Sequence, residues 1–133
     1  MNKYALDTDI VTYYLKGNKD IINRVSTEAD NSNTIVIPPM VFYEIKRWLL
    51  TINASKKLAI FEYMCSLSGI CAIEKETLEI AAATYSNCQK KGIVIGDNDI
   101  LIASFCIYHD ITLVTNNEKH FKSIPNLKFV NWL

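Results

Sequence analysis

Five short apolar runs, with longer segments of helical pattern between them, constrain the fold of this chain more than any other feature. The runs are residues 4–6, 34–37, 70–73, 111–114 and 128–130. Most are apolar at consecutive positions instead of alternating with polar residues, which is typical of parallel strands covered by helices on both faces. The pattern therefore predicts an α/β fold with three layers, in which a mostly parallel five-stranded sheet is flanked by helices.

The remaining segments predict helices at residues 10–15, 20–30, 39–50, 55–67, 75–91 and 98–108, with a short turn at 117–122. The chain has 133 residues, which is within the usual size of one domain. Neither the polar stretch at 30–33 nor the glycine-flanked stretch at 92–96 has the character of an interdomain linker. We therefore expect residues 1–133 to form a single domain.

The composition excludes a disordered or fibrous protein, and the balance of charge excludes binding of a polyanion through a net positive field. Half of the residues are hydrophobic and 21% are charged, as in globular proteins. The 14 basic and 14 acidic residues cancel, so a polyanion has to be bound by local contacts and not by a long-range positive field.

Cysteine spacing and hydropathy indicate the compartment. The four cysteines form no CxxC pair and no Cys/His ligand pattern, which predicts free thiols; they are Cys65, Cys71, Cys88 and Cys106. No apolar run approaches the roughly 18 residues that a membrane-spanning helix needs, and no signal-peptide pattern is present. We expect a cytoplasmic protein with no membrane partner.

Polar side chains suited to metal binding fall where predicted strands end. Asp7 directly follows the first strand, and Asn117 follows the fourth. Asp99 begins the predicted helix at 98–108, and Glu44 lies a little over one turn into the helix that Pro38-Pro39 opens. Ligands of parallel sheets bind outside the carboxyl ends of the strands, so these groups are expected to converge. Pooled carboxylates need a positive partner, and oxygen ligands favour Mg²⁺ or Mn²⁺, which activate water for phosphodiester hydrolysis.

A structural role is the alternative for each of these side chains. Asp9 and Asp97 have the position of helix N-caps. Asp99 has the position of a negative charge that stabilises the N-terminus of a helix through the helix dipole. Glu44 also fits a solvated surface position, and Asn117 a cap of the short turn. The nearly all-apolar helix after Asp99 predicts burial, which favours a site at its start.

Four motifs follow one another along the chain. They are Leu6-Asp7-Thr8-Asp9-Ile10, Pro38-Pro39-Met40-Val41-Phe42-Tyr43-Glu44, Asp99-Ile100-Leu101-Ile102-Ala103, and Leu113-Val114-Thr115-Asn116-Asn117 with Phe121. Each motif alone is weak, but four in this order resemble those of PIN domains, in particular the VapC-type toxin ribonucleases of toxin–antitoxin pairs, and are fairly specific. The resemblance covers essentially the whole chain, including Asn131-Trp132 after the last strand.

The resemblance implies a PIN-like nuclease domain. Asp7, Glu44 and Asp99 match the three family acids that bind Mg²⁺ or Mn²⁺, and Asn117 matches a fourth catalytic position that is often aspartate. The implied activity is endonucleolytic cleavage of structured RNA such as tRNA. The implied partners are a second copy of the chain and a small antitoxin that blocks the site.

Several residues depart from the family pattern or stand beside it. Asp9 replaces a common asparagine, and Asn117 keeps a carbonyl oxygen but lacks a charge, which puts a second metal position in doubt. Glu118 is a candidate to compensate. The candidate accessory residues are Thr8, Asp9, Asp97, Thr115 and Glu118.

The histidines and several aromatic residues are expected to be structural. His109 and His120 have no partners at ligand spacing, which predicts structural or surface positions. Apolar helix faces are expected to fill the core, with partner contact as the alternative; they include Phe42, Trp48, Phe61 and Tyr63.

Two other classes of protein remain as alternatives. A catalytically inactive PIN domain that only binds protein or RNA is favoured slightly by Asn117. A receiver-type phospho-acceptor domain fits less well, because neither Ile37 nor Ile73 is followed by the aspartate that such a domain phosphorylates.

Overall fold

The computed structural model describes residues 1–68 and 72–133. Their strands are β1 (Lys3–Leu6), β2 (Thr34–Val36), β3 (Thr112–Val114) and β4 (Phe129–Val130). Their helices are α1 (Thr8–Leu15), α2 (Lys19–Asp30), α3 (Pro39–Thr51), α4 (Ser55–Ser68), α5 (Lys75–Lys90), α6 (Asp97–His109) and α7 (Glu118–Phe121). The alternation of strand and helix confirms the predicted α/β fold.

The strands form one parallel sheet in the order β2-β1-β3-β4. The central strand β1 places Ala5 opposite Val36 on one side and Leu113 on the other. Each connection between neighbouring parallel strands passes through at least one helix, as parallel pairing requires.

The sheet is covered on both faces. Successive side chains of a strand point to opposite faces, and the consecutive pairs Ala5-Leu6 and Leu113-Val114 are fully buried. Helices must therefore lie on both sides of the sheet, which gives the three layers that the uninterrupted apolar runs predict.

The predicted fifth strand at 70–73 is not part of the described sheet, which has four strands. Residues 70 and 71 lie outside the described residues, and Ala72 and Ile73 are not in a strand. Both side chains are exposed, so they lack the neighbours on both faces that a buried parallel strand needs. Local apolarity alone does not distinguish such a segment from a strand.

The described residues contain free cysteines and no helix of membrane-spanning character. Cys65, Cys88 and Cys106 are free and buried, and Cys71 lies outside the described residues. Burial raises the pKa of the Cys65 thiol to about 11. None of the described helices is long and apolar enough to cross a membrane.

Candidate active site

Two neighbouring parallel strands deliver the first residues of the site. Leu6 at the end of β1 pairs with Val114 at the end of β3, so the next residues, Asp7 and Thr115, lie side by side. The Asp7 amide donates to the Val114 carbonyl at 2.9 Å, and the Thr115 hydroxyl donates to Asp7 Oδ2 at 2.7 Å. Strand pairing alone therefore places Asp7 at the carboxyl edge of the sheet, where the sequence predicts a site.

Asp7 is a buried carboxyl whose ionisation is strongly disfavoured. It is 5% exposed, and its Oδ1 caps α1 by accepting from the Thr8 amide at 2.8 Å. Burial raises its pKa to about 7, and repulsion from Asp9 and, more weakly, Asp99 adds to the effect. The hydrogen bonds from Thr115 and Thr8 oppose the rise. Near neutral pH this carboxyl is therefore poised to ionise when a positive charge arrives.

Asp9 lies inside the first turn of α1 and is not its N-cap, because Asp7 takes that position. Its Oδ1 accepts from the Ile10 amide at 2.7 Å, and its Oδ2 accepts from the Asn116 amide at 3.0 Å. Burial raises the pKa of Asp9, and Asp99 contributes repulsion. The additional acid in the first motif thus belongs to the same cluster as Asp7.

Glu44 joins the cluster through a neighbouring hydroxyl. The Thr8 side chain donates to Glu44 Oε1 at 2.7 Å, although the two residues are 36 positions apart. Val41 and Ile45 bury one side of α3, and Glu44 lies between that buried side and solvent. Glu44 is therefore half-buried and hydrogen-bonded, which favours a role in the site over a solvated surface position.

Asp99 reaches the cluster from the first turn of α6. Five consecutive residues of this helix, 102–106, are buried, and this fixes its first turn at the edge of the core. The negative charge of Asp99 acts on both Asp7 and Asp9. Its Oδ2 lies 2.9 Å from His120 Nδ1.

His120 is the site contact that sequence reasoning missed. The expected surface position is confirmed, since the His120 side chain is 55% exposed, but its Nδ1 also contacts Asp99 and lies 2.8 Å from Asn117 Nδ2. The available signal was its spacing of three from Asn117, which places two side chains on one face of a helical turn. The other histidine, His109, is structural as predicted: its Nε2 contacts Glu74 at 3.1 Å.

The other candidates lie at the margin of the cluster. The Asp97 side chain is exposed and makes no hydrogen bond or ion pair with another of the described residues, and the N-cap of α6 is Gly96 and not Asp97. Glu118 Oε2 faces the Asn131 amide at 3.4 Å. Asn117 has the N-cap position of α7, as its structural alternative requires, but its side chain makes no capping hydrogen bond.

The donor set fits a hard divalent cation in its chemistry. Asp7, Glu44 and Asp99 offer carboxylate oxygens, which such ions prefer. Among the described residues, no lysine or arginine lowers the pKa of Asp7 or Asp9, so the repulsion between the acids is not compensated by a basic side chain. Within the part of the chain that is described, no three His, Cys, Asp or Glu side chains already stand around a common point. A cation would have to draw these carboxylates together.

The fold and site together define an α/β protein with an acidic site at the carboxyl edge of a parallel sheet. The family model for the PIN domain matches residues 4–127. Ribonuclease VapC2 of Rickettsia felis is 37% identical over 137 residues, covering 97% of each chain. The chain therefore belongs to the PIN domain family, within its group of VapC ribonucleases, whose members generally depend on a divalent metal ion.

Two solved structures resemble the whole chain. One is VapBC2 from Rickettsia felis bound to a promoter DNA fragment, with 34% identity, a TM-score of 0.88 and coverage of 98% of this chain and 99% of that one. The other is VapBC-1 from nontypeable Haemophilus influenzae, with 25% identity, a TM-score of 0.85 and coverage of 98% of both chains.

Proposed function

We propose that this chain is an endoribonuclease that hydrolyses phosphodiester bonds of structured RNA, such as tRNA, with Mg²⁺ or Mn²⁺, and that it is the toxin of a type II toxin–antitoxin pair. The observation that carries the proposal is the uncompensated acidic cluster at the carboxyl edge of β1 and β3. Membership of the VapC group supports the ribonuclease activity.

In this proposal Asp7, Glu44 and Asp99 hold the metal ion. Asn117, at the edge of the acidic cluster, takes part in catalysis. When bound, the ion supplies positive charge to the scissile phosphate and acidifies water. The Thr8 and Thr115 hydroxyls fix the carboxylates of Glu44 and Asp7 by donating to them. This leaves the remaining lone pairs of those carboxylates available to the ion.

The accessory acids have unequal parts in the proposal. Asp9 adds negative charge beside Asp7, and its bonds to two backbone amides keep it oriented along α1. Asp97 has no part, because it is exposed and lies apart from the cluster contacts. Glu118 orients Asn131 and does not replace the charge that Asn117 lacks.

Metal-dependent cleavage of RNA is the direct test. We expect the full chain to cleave a transfer RNA substrate with Mg²⁺ or Mn²⁺ and to lose the activity in excess EDTA, because the carboxylates alone repel a phosphate. Restoring either ion should restore cleavage. Cleavage that persists after chelation would contradict the proposal.

The surface of the chain supports a protein partner. Ile60, Tyr63 and Leu67 of α4 are large exposed apolar side chains, so the expectation that Tyr63 is in the core is wrong. With Tyr14 and Val25 they line a cavity of about 330 Å³ between α4 and α1–α2. Exposed apolar surface of this kind marks interaction sites, and both solved relatives are VapBC proteins.

We therefore expect a homodimer that also binds a small antitoxin encoded beside it. Light scattering of the purified chain should give about twice the monomer mass, and co-expression with the neighbouring small reading frame should yield a stable complex that no longer cleaves RNA. A monomer that copurifies with no such protein would contradict the toxin assignment. The cytoplasmic location and the single domain also remain part of this proposal.

An inactive PIN-type binding module is the second candidate, favoured by the neutral Asn117. Such a module binds RNA or protein but does not cleave RNA with either ion. The receiver-type alternative is excluded by membership of the PIN domain family.

A further inference from the structure

The segment 115–120 contacts three of the clustered acids in turn. Thr115 donates to Asp7, the Asn116 amide donates to Asp9, and His120 contacts Asp99. The same segment is tied internally, because the Asn117 amide donates to Thr115 Oγ1 at 2.9 Å and the His120 amide donates to the Asn117 carbonyl at 3.1 Å. His120 is thus the end of a continuous chain of hydrogen bonds that begins at Asp7.

The contact between His120 and Asp99 differs from the others by its position. The Asp7 contact is buried, whereas the His120 side chain is 55% exposed and that of Asp99 is 24% exposed. Asp99 and Glu44 both come from helices and not from a strand end, but Glu44 is held by the hydroxyl of Thr8 next to Asp7, whereas Asp99 is held by His120. The Asp99 carboxylate therefore depends on a side chain at the mouth of the cluster for its orientation.

The chemistry of the ring decides which way the hydrogen bond runs. A single ring nitrogen either carries a proton or accepts one, and a carboxylate offers only lone pairs. Nδ1 must therefore carry the proton and donate to Asp99. Asn117 Nδ2 lies 2.8 Å from the same nitrogen, and because two donors cannot bond to each other, the amide has to turn over and present Oδ1 to this proton.

We propose that His120 is a positioning residue, which orients the Asp99 carboxylate for the metal ion by donating from Nδ1, and that Asn117 holds the imidazole ring and is not itself a ligand. This inference rests on the proposed function. In this role the lack of charge on Asn117 does not impair the site, because a neutral amide can hydrogen-bond to the imidazole ring and does not compete with the carboxylates for the metal ion.

Binding of Mn²⁺ to the full chain tests the assignment without any measurement of activity. Because loss of a partner that orients a metal ligand typically weakens affinity 10–100-fold, we expect His120→Ala to raise the dissociation constant for Mn²⁺ about tenfold. His120→Asn places an amide nitrogen near the position of Nδ1, and we expect it to stay within about twofold of wild type. His120→Gln places its amide near the position of Nε2 and should bind as weakly as the alanine variant.

His109→Ala is the matched control, because His109 lies at the other end of α6 and contacts Glu74. It should bind Mn²⁺ as wild type does. A second measurement uses the metal-free protein: nitrogen chemical shifts of the His120 ring should report a proton on Nδ1, which Asp99→Ala should abolish.

Two sets of results overturn the inference. Unchanged Mn²⁺ affinity in His120→Ala, equal losses in the asparagine and glutamine variants, or a bare Nδ1 in the wild type would overturn it alone and leave RNA cleavage standing. A wild-type chain that neither binds Mn²⁺ nor cleaves RNA would overturn the proposed function together with it.

Discussion

Asp99→Asn is expected to cleave RNA at least about 100-fold more slowly than wild type, whereas Asp97→Asn should stay within about twofold. Loss of a group that only orients a metal ligand already costs 10–100-fold, so loss of a proposed ligand should cost more. Both residues lie in the first turn of α6, where each carboxylate contributes about 0.3–1 kcal/mol by facing the helix N-terminus. The pair therefore separates a role in the site from a role in the helix.

Single-turnover cleavage with saturating Mn²⁺ measures the rates, and thermal melts measure the stability. The two variants should melt within a few degrees of each other, because they lose the same dipole interaction. Equal loss of cleavage in both would mean that the start of α6 matters and not Asp99 itself. Asparagine keeps an acceptor for His120, so the result is independent of the role assigned to that histidine.

Asp7→Asn is expected to stabilise the metal-free protein at pH 8 by about 2 kcal/mol while it abolishes cleavage. The pKa of Asp7 is raised from 3.8 to about 7, chiefly by burial, so between these values the folded state binds more protons than the unfolded state. Stability that is present at pH 4 is therefore lost as the pH rises towards 7. At about 1.4 kcal/mol per pKa unit the full shift sets an upper bound of about 4 kcal/mol, of which we expect half.

An amide at position 7 removes this cost because it stays neutral, and the Thr115 hydroxyl can rotate to accept from it. Urea unfolding with EDTA from pH 4 to 8 measures the effect. The wild type should lose stability over this range and the variant should lose less, with the two curves meeting near pH 4. A variant less stable than wild type at pH 8 would contradict the free-energy cost of ionising the buried Asp7 carboxyl.

The sequence was sufficient to predict the layers and the position of Asp7 at the carboxyl edge of the sheet, because both follow from strand topology. Uninterrupted apolar runs require covered faces, and parallel pairing of β1 with β3 places Asp7 beside Thr115 whatever the loops do. The same logic explains the error at 70–73, where an apolar run is exposed at its end and has no sheet neighbour among the described residues.

Contacts between side chains were beyond the sequence because packing decides them. Both Asp7 and Asp9 fit the pattern of an N-cap, and the choice of Asp7 depends on where β1 ends relative to α1. His120 reaches Asp99 across 21 positions, since the turn after β3 passes over the start of α6. Asn131 lies after β4 and holds Asn116 at 3.0 Å, a contact with no local signature.

The bond between Thr115 and Asp7 joins residues 108 positions apart, and the bond between Asn116 and Asp9 spans 107. Asp7 and Asp9 therefore leave the ribosome before the segment that orients them, which is synthesised 107 or 108 residues later. A nascent chain therefore carries Asp7 and Asp9 before it contains Thr115 and Asn116, the residues whose hydrogen bonds orient these two carboxylates.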